Sequence, residues 1–178
     1  MAIQSSDVLL KLSTTAGAAG NTNTSTPNAS LGKYISTTVI TDATLNNLFD
    51  NISGAENAAS TVDYRCIFIH NNHATLTWQS VVAYLLSEVA GGANIAIGVD
   101  PTAASAIGSA GAQAVTIANE TTAPAGVTFS SPTTLGTGIA IGDILPGQCR
   151  AIWVRRTATV SAALNNDGVT LRMQGNSL

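Results

Sequence analysis

Short runs of alternating or mostly apolar residues recur along the chain, and runs of this length are typical of β-strands. The two clearest runs cover residues 64–70 and 149–157, which are rich in β-branched and aromatic side chains. Further strands are predicted at residues 8–12, 31–40, 75–86, 95–99, 127–130, 138–141 and 169–174. Because turn-forming residues separate the runs, we expect an all-β fold: a β-sandwich of jelly-roll or immunoglobulin-like type, with a barrel as the alternative.

Two local features are predicted between these strands. Four apolar residues at helical spacing follow a plausible N-cap at residues 41–42, and they indicate one short helix that ends at Gly54: Leu45, Leu48, Phe49 and Ile52. The turn-like residues 71–74 join two strong strand candidates. They predict an antiparallel hairpin between residues 64–70 and 75–86.

The N-terminal part of the chain has a different character from the rest. The strand candidate at residues 8–12 is followed by residues 13–30, which are almost all small and polar. Such a segment has too little apolar surface to order itself, so we expect a flexible arm or a segment that a partner holds in place. The chain is therefore divided into an N-terminal strand with an extended arm (1–30) and a β-sandwich domain (31–178).

The strongest strands are apolar on both faces. Successive side chains of a strand point in opposite directions, so Cys66 and Phe68 share one face while Ile67 and Ile69 share the other. A sandwich strand normally exposes one polar face, so the second face needs a cover, either the chain's own arm and loops or another subunit. We expect a subunit contact, and the interface candidates are Tyr64, Phe68, Trp153, Arg155, Leu10 and Leu12.

Composition favours an assembly and excludes two kinds of partner. Charged residues make up 10% of the chain, against about 25% in an average soluble domain. A neutral surface of this kind packs closely against another protein. The net charge of −3 and the absence of a basic stripe argue against nucleic acid as a partner. No secretory signal and no apolar run of about 20 residues is found, so we expect a soluble product made in the cytoplasm, with no membrane partner.

The residues with chemical potential do not form a recognisable reactive site. Cys66, His70 and His73 have a spacing that superficially resembles a metal site, but within a strand Cys66 and His70 would lie about 13 Å apart. The sequence has no nucleophile elbow, no paired carboxylates and no phosphate-binding loop. We therefore expect no enzymatic activity, metal or cofactor, and we expect Cys66 and Cys149 to be small buried residues.

Three stretches carry a resemblance to a known group of proteins: residues 41–59 (TDATLNNLFDNISGAENAA), 62–78 (VDYRCIFIHNNHATLTW) and 148–171 (QCRAIWVRRTATVSAALNNDGVTL). They resemble virion structural proteins of tailed bacteriophages. Within that group the composition is most like that of a head decoration, or cement, protein.

The resemblance implies a function and a set of partners. A decoration protein is a small β-domain that stabilises the head by bridging capsid subunits, so the implied partners are the major capsid protein or other virion subunits. The implied location is the virion. A homo-oligomer is implied as well, commonly a trimer. The alternatives are a tail, neck or baseplate component, or a module that binds host-surface carbohydrate through Trp78, Tyr84 or Trp153.

Overall fold

The computed structural model of the chain describes residues 2–162, 164 and 166–177. Over this part of the chain, nine β-strands and one short α-helix are found. The strands are β1 (Val8–Thr14), β2 (Tyr34–Val39), β3 (Val62–Asn71), β4 (Trp78–Glu88), β5 (Asn94–Val99), β6 (Ser105–Ala106), β7 (Ile139–Ile144), β8 (Gln148–Thr157) and β9 (Val169–Ser177). The helix α1 covers Gly54–Ala59.

The strands form two antiparallel sheets. The larger sheet has the order β2-β1-β3-β8-β5, with β6 pairing with β8 beyond the end of β5. The smaller sheet has the order β7-β4-β9. The two sheets pack face to face around an aliphatic core, so the prediction of an all-β, sandwich-like fold is confirmed. The strand predicted at residues 127–130 is reduced to one bridge between Ser130 and Ile97.

The first core lies between the two sheets. It consists of aliphatic residues and one tryptophan, drawn from the inner faces of both sheets: Ile67, Ile69, Trp78, Val81, Ala83, Leu85, Ile95, Ile97, Ile141, Ile144, Ile152 and Val154. Burial of apolar surface contributes about 25 cal/mol for each Å², so this layer is the main source of stability. Trp78 and Ile144, from neighbouring strands of the smaller sheet, lie opposite each other at one end.

A second core lies on the opposite face of the larger sheet. Here Cys66 and Phe68 of β3 lie beside Trp153 and Ala151 of β8. The residues that cover them come from β2 and from the irregular segment 101–131: Ile35, Ile107, Ala114, Val115, Ile117, Val127 and Phe129. We call segment 101–131 the cover segment.

The predicted hairpin between β3 and β4 is wrong. β3 pairs with β1 and β8 in the larger sheet, whereas β4 pairs with β7 and β9 in the smaller sheet. Residues 72–77 carry the chain from one sheet to the other. The side chain of Asn71 fixes this crossing, because its amide group donates hydrogen bonds to the carbonyl oxygens of Leu76 and Ile144, each at 2.9 Å.

The helix forms at a different place from the one predicted. Residues 41–52 form turns, and Ala43 and Asn46 have positive φ values of 54° and 57° that a helix does not allow. The helix begins after Ser53, because the Ser53 hydroxyl accepts from the Glu56 amide while the Glu56 carboxylate accepts from the Ser53 amide. In the described residues no helix has the length and apolar character to cross a bilayer.

Residues 13–30, predicted to be an extended arm, lie against the larger sheet. The Gly20 amide donates to the carbonyl oxygen of Ile35, and the Thr37 amide donates to the carbonyl oxygen of Thr22. This segment therefore borders the outer edge of β2. Ser30 is buried, and its hydroxyl donates to the carbonyl oxygen of Cys66. The boundary predicted at residue 30 therefore falls within a continuous set of contacts.

Candidate functional site

Three of the six predicted interface residues lie inside the molecule. Phe68 and Trp153 have no exposed surface, and Leu12 is 3% exposed. Tyr64 and Arg155 are half-buried neighbours on β3 and β8, and both pack against Phe129 of the cover segment. Leu10 is half-buried on the inner face of the larger sheet.

The cover segment, and not another subunit, closes the second face of the larger sheet. The expectation that this face contacts a neighbouring subunit is therefore wrong for its central residues. The physical reason is that scattered apolar residues of an Ala- and Gly-rich segment converge on the face, although they form no run in the sequence. The apolar pattern of β3 and β8 consequently gives no information about oligomeric state.

Two buried polar side chains hold the cover segment in place. The Asp100 carboxylate accepts hydrogen bonds from Trp153 Nε1 at 2.8 Å, from the Val115 amide at 3.0 Å and from the Thr102 amide at 2.8 Å. The Gln113 side chain accepts from the Ile35 amide and donates to the carbonyl oxygen of Ala106. These side-chain hydrogen bonds satisfy backbone groups that a regular strand would pair with the backbone of its neighbour.

Two arginines are used internally. The Arg65 side chain is fully buried and pairs with Glu120 of the cover segment, and the Arg156 side chain pairs with Asp63 at 2.7 Å. Both guanidinium groups also lie over the Phe49 ring, at 5.3 Å and 4.7 Å from its centre. These guanidinium groups are engaged within the fold and are not available to a ligand.

The cysteines and histidines do not assemble into a reactive centre. Burial raises the pKa of the Cys66 thiol and raises that of Cys149 to about 12, so neither is a thiolate at neutral pH. Burial, followed by the nearby charge of Lys11, lowers the pKa of His70 to about 4. His73 lies in the crossing loop, where Nδ1 accepts from the amides of Thr75 and Leu76. Within the described residues, no cluster of acidic, His and Cys side chains is suited to a metal.

The feature best suited to binding is the outer edge of β9. This strand has nine residues and pairs with β4 on one side. No backbone hydrogen bond from the described residues reaches its other side. The edge of β2, by contrast, is bordered by residues 20–24, and β7 is bent at Gly142 (φ 88°) and carries the exposed Asp143. The edge of β5 is bordered as well, because the backbones of Ile97 and Ser130 exchange hydrogen bonds. Bends, charges and bordering segments protect sheet edges. β9 carries one exposed charge, Arg172, but no described segment bonds to the backbone of its outer side, so it is the least protected edge described.

The direction of the β9 backbone follows from its neighbour. The Leu85 amide donates to the carbonyl oxygen of Pro132. The Ala83 carbonyl oxygen faces Gly138, the residue before β7, and lies 3.0 Å from the point that a Cβ atom would occupy there. Both backbone groups of β4 therefore point away from β9. Their partners across the ladder are Leu171 and Met173. In an antiparallel pair these are non-hydrogen-bonded positions, so the amides and carbonyls of Leu171 and Met173 face the open edge.

An apolar groove adjoins this edge. It has a volume of about 440 Å³ and lies between β9, the start of β1 and the N-terminal residues. Its apolar lining comes from distant parts of the chain: Ile3, Val8, Leu10, Trp78 and Met173. Gln4, Ser5 and Gln174 are its polar lining residues, and none of the described residues that line it is charged. We call this feature, with the open edge of β9, the edge groove.

One cation stands beside the edge groove. Arg172 is exposed on β9, between Leu171 and Met173, and its side chain lies on the outer face of the smaller sheet, opposite Tyr84. The ion pairs found in the described residues involve Arg65 and Arg156, and none involves Arg172. Arg172 is therefore free to meet an acidic group from outside.

Two members of this site were named from the sequence, Leu10 as an interface candidate and Trp78 as a candidate carbohydrate-binding aromatic, and the rest were missed. The strand containing Met173 was predicted, but nothing in its sequence indicated that it would lie at an edge. Position in a sheet depends on pairing between distant segments, and the groove is lined by three regions that lie far apart in the chain: residues 3–10, Trp78 and residues 173–175. One signal was present in the sequence: Arg172 is the single charged residue among residues 169–177, so this strand has few charges to protect an edge.

Comparisons with known proteins provide no relative for this chain. No family model, no curated protein and no solved structure matches it.

Proposed function

We propose that this chain is a non-enzymatic structural protein of a tailed-bacteriophage virion, a head decoration protein that stabilises the particle by bridging capsid subunits. It is made in the host cytoplasm and ends in the virion. Its partners are the major capsid protein or other virion subunits, and a homo-oligomer, a trimer among the possible forms, sits on the head surface. The proposal joins the sequence resemblance to the edge groove.

The open edge of β9 beside an apolar groove is the observation that carries the proposal. An unpaired edge offers a row of amides and carbonyls to other chains, and free monomeric proteins usually block such edges with bulges, charges or covering segments. A protein that works inside an assembly gains from leaving one open. The site therefore suits a subunit whose function is to bind another protein.

Two further observations support a structural role. The low charge of the chain (10%) leaves a surface that tolerates close packing. The potentially reactive side chains described above are buried or engaged in hydrogen bonds. The carbohydrate-binding alternative depends on exposed aromatic rings, but Trp78, Tyr84 and Trp153 are 6%, 5% and 0% exposed. A tail, neck or baseplate subunit would use the same edge groove.

The test is the location of the protein in the particle. Virions of the encoding phage would be purified and analysed by mass spectrometry, and heads assembled without this chain would be mixed with the purified protein and sedimented. We expect the chain in virions at a fixed ratio to the major capsid protein, and we expect saturable binding to heads. Absence from virions would refute the virion assignment. Presence in virions without binding to heads would favour the tail, neck or baseplate alternative.

A further inference from the structure

The edge groove has the shape of a missing strand. The larger sheet is five strands wide along its main path, whereas the smaller sheet is three strands wide. A fourth strand beside β9 would lie about 4.8 Å from it and about 10 Å above β1. That position is directly over Val8 and Leu10, whose side chains line the groove.

We propose that the edge groove binds an extended segment of a partner protein, which adds as an antiparallel strand to β9. This inference rests on the proposed function. It adds that the chain recognises an extended segment of a neighbouring virion subunit. Main-chain hydrogen bonds to Leu171 and Met173 would supply affinity. Alternate apolar side chains of the segment would enter the groove and supply specificity.

The occupant is an extended segment and not the folded edge of a second copy. β1 and β2 continue the larger sheet beneath the open edge of β9. In a two-fold pairing of β9 strands, these two strands of each copy would occupy the same space below the joined sheets. A single extended segment has no such layer beneath it, so it avoids this overlap.

Charge defines the chemistry of the segment further. Arg172 lies between Leu171 and Met173, so its backbone groups point the other way, toward β4. The residue of an added strand that lies opposite Arg172 would therefore form a non-hydrogen-bonded pair with it. Side chains at such pairs are closest, with Cα atoms about 4.5 Å apart. An acidic side chain on the outer face of the added strand would therefore meet Arg172, while uncharged residues on its inner face would meet the uncharged groove.

The experiment measures protection and binding on the same particles. Amide hydrogen exchange would be followed for the free protein and for the protein bound to heads assembled without it. We expect the amides of Leu171 and Met173 to exchange rapidly when free and at least about tenfold more slowly when bound. Binding accompanied by unchanged exchange at both amides would overturn the inference and leave the proposed function intact.

Matched variants test the two parts of the recognition. Met173→Lys places a charge in the groove and should weaken binding to heads at least about tenfold, whereas Met173→Leu should bind within about twofold of the original. Arg172→Glu should weaken binding about fivefold, and Arg172→Lys should retain it. Because Arg172 is exposed, its variants test the inference even if Met173→Lys folds poorly. Equal binding by Arg172→Glu and the original protein would contradict the acidic segment.

Self-association is the remaining outcome to measure. The native mass of the purified protein would be determined over a range of concentrations, together with exchange at Leu171 and Met173. We expect these two amides to stay unprotected in the absence of heads. Protection that rises with a doubling of mass would identify a second copy as the occupant and overturn the assignment to a partner segment. If the protein does not bind heads at all, the head-decoration function falls, and so does the assignment of the bound segment to a capsid subunit.

Discussion

The central strands of the larger sheet, β3 and β8, are covered on both faces, but by different means. On one face a second sheet supplies regular strands, so its backbone groups are paired by ladders and its side chains are aliphatic. On the other face the cover segment has little regular structure, and its backbone depends on side chains such as Asp100 and Gln113. A sheet can thus be covered by a loop, provided that a few buried polar groups replace the ladder.

The largest expected effect compares neighbouring residues of β3 that point to opposite faces. Phe68→Ala on the covered face should lower the free energy of unfolding by about 4 kcal/mol, and Ile67→Ala on the sheet-packed face by about 3 kcal/mol, since each leaves a cavity in a fully packed site. Urea denaturation followed by circular dichroism would measure both. A cost below about 1 kcal/mol for Phe68→Ala would show that the cover segment does not close this face in solution.

Asp100→Ala tests the polar attachment of the cover segment. The change leaves Trp153 Nε1 and the amides of Val115 and Thr102 without their acceptor, which should cost about 3 kcal/mol. Hydrogen exchange should also rise selectively in the cover segment. Asp42→Ala is the matched control, because its carboxylate is exposed and bonds only locally to Ala43, so it should change stability by less than about 0.5 kcal/mol. Equal effects of the two substitutions would mean that Asp100 is not an anchor.

His70 links the covered face to pH. Its pKa is about 4 in the folded protein because burial, reinforced by the charge of Lys11, disfavours the protonated ring. The unfolded chain takes up a proton near pH 6.5, so stability is complete above this pH and falls as pH decreases from about 6.5 to about 4. The loss should be on the order of 2 kcal/mol. His70→Gln should remove this part of the pH dependence, and an unchanged slope between pH 6.5 and 4 would contradict the assignment.

The comparison of the two faces also shows what could be predicted from sequence. The strands at residues 64–70, 95–99 and 149–157 were predicted within two residues of β3, β5 and β8, because dense β-branched and aromatic residues signal a strand locally. The apolar nature of both faces was recognised as well. Its cause was not, because Ala114, Ile117 and Val127 are dispersed among Gly, Ala and Thr and reach the sheet only through long-range folding.

The candidate site was harder to predict for the same reason. Leu10 could be selected as an interface residue because its strand is apolar. That β9 lies at an edge depends on which strands pair, and the mistaken hairpin between β3 and β4 shows that adjacency in sequence does not decide pairing. Helix α1 was missed for a local reason: the pair Ser53 and Glu56 caps a helix made of small residues, which has no apolar periodicity.

The smallest expected effect concerns a third surface, the outer face of the smaller sheet. Leu86 of β4 lies there and is 47% exposed. Leu86→Ser should lower the free energy of unfolding by less than about 1 kcal/mol, because nearly half of the residue's surface is already exposed to solvent. It should also leave binding to heads unchanged, because Leu86 lies outside the edge groove. A large loss of stability would reveal a third covered face. A loss of binding alone would move the contact from the edge of β9 to the outer face of the sheet, and so would separate edge recognition from face recognition.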